Sequence, residues 1–247
     1  VDKKNFLEAY KISPESGKLF MYDAYFENSN GTGGTVYETE LGNKIYYSEL
    51  QKDSTLNILS RNKMMDEWGK GSMLPGSINE SVNASYPYVL ADGITIYYAA
   101  DGPSSMGGYD IFVTRYNTNA DTYLTPENVG MPFNSPYNDY MYVIDEFNNL
   151  GWFASDRYQP DGKVCVYVFR SPQAKAQFKK YLQLEESYNQ QLGKLENMRT
   201  QYSRVNQNEK NKMAPAILDL EKRVQQLVTE IDRAAIQVRK LEKQIIK

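Results

Sequence analysis

The chain has 247 residues, enough to bury one large or two ordinary cores without cross-links. It contains no histidine and a single cysteine, Cys165, which removes histidine-based triads, histidine-ligated zinc and any internal disulfide. The net charge of −3 hides a split, because residues 1–171 (13 basic, 22 acidic) carry −9 and residues 172–247 (15 basic, 9 acidic) carry +6.

Val1 to Tyr10 reads equally as a strand or a short helix. Lys18 to Phe26 and Thr35 to Leu41 read as a hairpin around the Gly-rich tip Asn28 to Gly34. That tip lacks the Lys-Ser/Thr and the following helix of a phosphate cradle, so it is a loop. Lys44 to Glu49 pairs with Leu56 to Arg61, and the segment around Trp68 leads on to Pro75-Gly76. Asp92-Gly93 makes a tight turn before the runs Ile94 to Ala100 and Tyr109 to Tyr116, both rich in β-branched and aromatic residues. Between them Ala100 to Asp110 offers Asp101, Ser104 and Asp110 as hard oxygen ligands. The alternating acidic positions of a calcium loop are missing, turn chemistry accounts for these residues, and no metal is expected.

The hairpins recur. Shifting the chain by about 55 residues puts Tyr97-Tyr98-Ala99 on Trp152-Phe153-Ala154 and Asp101 on Asp156. The same shift puts Trp68 on Tyr123, Leu74 on Val129 and Ile78-Asn79 on Phe133-Asn134. Trp68 and Tyr123 are expected to pack between adjacent modules, and Asp110 to hold a turn. Ile45-Tyr46-Tyr47 matches Ile96-Tyr97-Tyr98 at a slightly different offset, and Lys18 to Leu41 is a weaker copy, giving four hairpin signatures. A sheet of this size must stack on its own copies to cover both faces. Ser85 to Tyr98 (SYPYVLADGITIYY), Gly107 to Val113 (GGYDIFV), Pro126 to Ser135 (PENVGMPFNS) and Gly151 to Arg157 (GWFASDR) resemble TolB-type, WD-repeat-like propeller repeats. The versions in cell-envelope proteins of Bacteroidetes-type bacteria are the most similar. A four-stranded blade takes ~40–45 residues, whereas the first two signatures start at Lys18 and Lys44. The ring therefore has reduced blades or is completed by other residues, and an unclosed sheet leaves an edge that recruits strands.

Ser171-Pro172 ends the β part, and the apolar period changes from 2 to 3.5. Tyr181, Leu184, Tyr188, Leu195, Met198, Tyr202 and Val205 form one seam, with Gln191 as a polar interruption. In the second helix Ile217, Val224, Ile231, Val238 and Ile245 interleave with Leu220, Leu227, Ala234 and Leu241 in an unbroken heptad seam. Asn206 to Pro215 is the expected polar link. The fold class is thus all-β propeller-like blades over residues 1–171, followed by an antiparallel coiled-coil hairpin over residues 172–247. A dimer through the second helix competes with the hairpin, and a four-helix arrangement accommodates both.

A lone strand cysteine without a histidine partner is a poor nucleophile, and the prominent carboxylates Asp92, Asp101, Asp110, Asp156 and Asp161 sit at glycine-flanked or repeated turns. No catalytic residue and no cofactor are expected. The basic surplus of the coil is spread through heptads without stacking aromatics, so nucleic acid is not an expected partner. No apolar run is long enough to cross a membrane. The expected function is a scaffold that binds protein partners and self-associates through its coil; the resemblance implies a periplasmic or outer-membrane-facing setting, and a signal or lipoprotein anchor is expected to have been removed before Val1. Two alternatives stand beside it. One is a glycan-binding or carbohydrate-processing propeller, with exposed Tyr/Trp and two carboxylates in one pocket; the other is a purely structural spacer.

Overall fold

The structure, a computed structural model, describes residues 1–27, 34–80 and 83–245, with the side chains of 172–178 and 238–245 outside that description. It divides into two compact units, Val1–Ser171 and Pro172–Lys247.

The first unit is built from three antiparallel meanders. The first comprises β1 (Lys18–Met21), β2 (Thr35–Glu38), β3 (Lys44–Leu50) and β4 (Leu56–Met64), with the two-residue strands β5 (Glu67–Trp68) and β6 (Ser72–Met73) both pairing with β4. The second comprises β7 (Asn83–Val89), β8 (Thr95–Asp101) and β9 (Asp110–Asn117), with β10 (Thr122–Tyr123) and β11 (Glu127–Asn128) both on β9. The third is β12 (Asp139–Asp145), β13 (Leu150–Ser155) and β14 (Cys165–Arg170). A single parallel pair, Leu56 with Asn83, joins the first two into one mixed sheet. Among the described residues neither sheet returns to its first strand.

The four expected hairpins become three meanders because β2 pairs with β3, Val36 opposite Tyr47, which merges the first two signatures. The expected strand through Phe26 also stops at Met21, where a short helix, α1 (Tyr22–Phe26), begins. The four-residue spacing of a helical turn brings the Tyr22 and Phe26 rings to 4.7 Å, tilted on one another, and lets both reach Tyr47. Residues 28–33 of the Gly-rich tip lie outside the described residues.

Repetition extends to register. Thr95 opposite Arg115 and Ala100 opposite Asp110 in β8–β9 recur as Leu150 opposite Arg170 and Ser155 opposite Cys165 in β13–β14, a shift of 55 on both strands (95 to 150, 115 to 170). The bulges recur as well. Tyr86 in β7 and Met141 in β12 both take positive φ, 55° and 54°, where the ladder to the next strand skips. All seven residues of β12 are buried, as suits a strand covered on both faces.

Val1 to Gly17 lies against the first strands of the later meanders. Of its two 3-10 turns, Phe6–Ala9 and Pro14–Ser16, the first buries Phe6 edge-on to Tyr86 and Tyr140. The Tyr10 hydroxyl then donates to the Met141 carbonyl at 2.8 Å.

The second unit pairs α2 (Pro172–Arg204) with α3 (Gln207–Ile245). Arg199 bridges to Glu221 at 2.6 Å, while Tyr188 lies beside Ile231, so the helices run antiparallel. The expected ten-residue link shrinks to Val205–Asn206. Asn206 accepts the Glu209 N–H at 3.1 Å as an N-cap and restarts the helix at once, and Pro215 lies inside α3 at an exposed position.

Candidate functional site

The residues singled out by the repeat hold strands together. Asn79 accepts the Ile58 N–H at 2.7 Å and donates back to the Ile58 carbonyl at 3.1 Å. Asn134 repeats both bonds on Ile111, at 2.8 and 2.9 Å. A carboxamide suits this task because it presents one acceptor and one donor side by side, matching the outward N–H and C=O of a single strand residue. The turn reaching each asparagine carries a glycine at positive φ, Gly76 at 82° and Gly130 at 68°.

The aspartates form a second repeated link. Asp101 accepts the Asn83 N–H and side-chain amide at 2.7 and 2.8 Å, and Asp156 accepts the same groups of Asn138 at 2.8 and 2.7 Å. The oriented asparagines then accept N–H groups of the preceding meander, Leu56 to Asn83 and Tyr109 to Asn138, both at 3.1 Å. This close approach explains the Gly107-Gly108 pair, since a Cβ at Gly107 would overlap the Pro136 backbone and one at Gly108 the Asn138 carboxamide.

Asp110 is fully buried and accepts the Met106 N–H and the Asn128 amide, both at 2.8 Å, through one oxygen; the other has no partner among the described residues. Asp101 and Asp110, considered above as cation ligands, thus face different protein partners. Among the described residues no group of three His, Cys, Asp or Glu side chains is placed to hold a metal ion. Trp68 is half-buried against the cluster of Tyr22, Val36, Ile45, Tyr47 and Leu59, whereas Tyr123 is buried and meets Tyr116 edge-on at 5.1 Å. Tyr97 packs across to Tyr142 of the third meander at 4.6 Å, and Trp152 is buried beside Tyr10.

Sequence reasoning missed two polar nodes. The Arg157 guanidinium bonds Asp139 at 2.6 Å, donates to the Pro132 and Phe133 carbonyls and the Ser155 hydroxyl, and lies over the Phe153 and Tyr167 rings. It has no counterpart one repeat earlier, where Gly102 stands, so the repeat pattern conceals it. The second node is Asp145, which accepts from the Ser13 N–H and hydroxyl, the Ser16 hydroxyl and the backbone of Phe147 and Asn148. Burial works to raise its pKa, but these bonds prevail and hold it below the ordinary carboxylate value. The signal was present as Asp145 ahead of Asn148 at a strand end, a turn pattern.

The turns at one end of this unit border an open cleft of about 560 Å³, lined by Lys3, Tyr137, Asn138, Asp156, Asp161 and Lys163 among others. Tyr137 and Tyr158 pair beside it at 5.3 Å with 41% and 83% of their surfaces exposed.

In the helical unit Ile217, Leu220, Val224, Leu227, Ile231 and Ala234 all fall on the less exposed face of α3, yet each is only half-buried. Among the described side chains of the pair, Leu195 of α2 alone is buried, at 3% exposure. The side chains of Val238, Leu241 and Ile245 lie outside the described residues. No described helix is long and apolar enough to cross a membrane. Compared with family models, with curated proteins and with solved structures, the chain matches none.

Proposed function

We propose that the chain is a non-enzymatic scaffold of the cell envelope, a propeller-like β unit that binds a protein or peptide and a helical pair that carries assembly. The observation that carries this reading is the use of the repeated polar residues. Asn79, Asn134, Asp101 and Asp156 spend their bonding capacity on neighbouring strands, as structural modules require. Register and bulge shared by the second and third meanders, and the asparagine clamp shared by the first and second, support a propeller-like stack, and the half-buried α3 seam supports further helix association. The periplasmic setting rests on the likeness of the SYPYVLADG, GGYDIFV and GWFASDR segments to envelope repeats.

The test is affinity capture from envelope extract with the full chain and with residues 1–171 alone. Retention of the same proteins by both supports binding by the β unit. Recovery of nothing but the chain itself overturns the scaffold reading in favour of a spacer.

A second reading is favoured by the exposed Tyr137–Tyr158 pair beside a cleft with Asp156 and Asp161, an arrangement suited to a sugar face. Saturable oligosaccharide binding by calorimetry, lost in Tyr137→Ala, would establish it; absence of heat across a glycan panel would end it.

A further inference from the structure

The repeated architecture stops short at the outer edge of β14. On β4 and β9, the last long strand of each of the first two meanders, the outward backbone groups go to a short strand and an asparagine. The Leu74 N–H donates to the Ile58 carbonyl and the Val129 N–H to the Ile111 carbonyl, both at 3.1 Å, while Asn79 and Asn134 take the N–H of those same residues. On β14 the Ser171 N–H donates to the Asn149 carbonyl at 2.9 Å, the counterpart of Tyr116 to Ile94 at 2.8 Å. That bond fixes the alternation of the ladder, so Val166 and Val168 turn their N–H and C=O groups away from β13.

Among the described residues β14 pairs only with β13, and no hydrogen bond from elsewhere reaches Val166 or Val168. Val168 is 58% exposed. Where β9 is followed by β10 and β11, β14 is followed directly by α2. Both copies of the covering sequence, LPGSIN at 74–79 and VGMPFN at 129–134, are engaged on their own meanders.

We infer that the β14 edge accepts an extended strand from a partner protein with the spacing Leu/Val-x-x-x-Ile/Phe-Asn. Its asparagine closes on Val166 as Asn134 closes on Ile111, and its backbone completes the ladder by strand addition. This rests on the scaffold reading and names the chemistry of one partner.

The probe is a synthetic peptide of residues 124–135, LTPENVGMPFNS, titrated into the full chain with amide exchange followed by NMR. In the free chain the Val166 and Val168 amides exchange faster than those of Ile111 and Val113. Saturating peptide slows them at least tenfold, and a peptide with alanine in place of its first asparagine still binds while one with alanine at the Asn134 position binds at least tenfold more weakly. Val168→Pro removes one outward donor while leaving the β13 bonds, and it abolishes binding; should that variant not fold, the exchange footprint alone locates the peptide. No binding, a Val166 amide already as slow as that of Ile111, or protection confined to β9 through strand exchange with the chain's own copy would each overturn the assignment. A silent peptide beside a full chain that still retains envelope proteins removes the edge and leaves the scaffold; a full chain that retains nothing removes the scaffold itself.

Discussion

Asp145 shows how one side chain joins distant parts of the chain, since its carboxylate fastens Ser13 and Ser16 to the end of β12. Its folded pKa is lowered, so folding favours the ionised form. The resulting stability is fully present above the unfolded value of about 3.9 and is lost as pH falls through the lower folded value. Urea midpoints measured from pH 7 to pH 3 are expected to fall for the native chain. In Asp145→Asn they start lower and fall less steeply; parallel curves would show that another group carries the acid sensitivity. The Arg157–Asp139 pair has a different character. Asp139 is wholly buried, so its partner's loss would strand a charge at a cost of about 3–5 kcal/mol.

At the scale of elements, legibility followed the strength of the local pattern. Ile78-Asn79 and Phe133-Asn134 align at one shift because the asparagines clamp equivalent positions, Ile58 of β4 and Ile111 of β9, so residue identity was tied to geometry. The five-residue α1 offers no periodicity to read, and its rings looked like strand residues. The polar stretch after Val205 looked like a linker because it lacks an apolar stripe, yet Asn206 caps a helix there and exposed residues suffice to continue it. Arg157 and Asp145 fall on Gly102 and Leu90 at the 55-residue shift, so the internal comparison does not mark them. On the helices, burial separates positions that hydrophobicity alone does not. Leu195→Ala is expected to destabilise the pair by about 2–5 kcal/mol, whereas Leu182→Ala, at a residue 53% exposed, should shift the helical melt little. Equal shifts in circular dichroism would mean that Leu182 is covered in the assembled protein.

For the whole molecule, the two compact units place different reporters in different cores. Both tryptophans, Trp68 and Trp152, belong to the first unit, while α2 and α3 supply most of the helical signal. Tryptophan fluorescence and ellipticity at helical wavelengths are therefore expected to give separate denaturant transitions. Coincident curves would show that the units unfold together.

The Val1 N–H donates to the Val164 carbonyl, and Val164 returns a bond to Val1, so the earliest described residues meet the residue that leads into β14. During translation Phe6 and Tyr10 emerge before any of β12 exists, and they remain greasy and unburied until well over a hundred further residues have been made. A chaperone that holds the emerging chain would act on that interval.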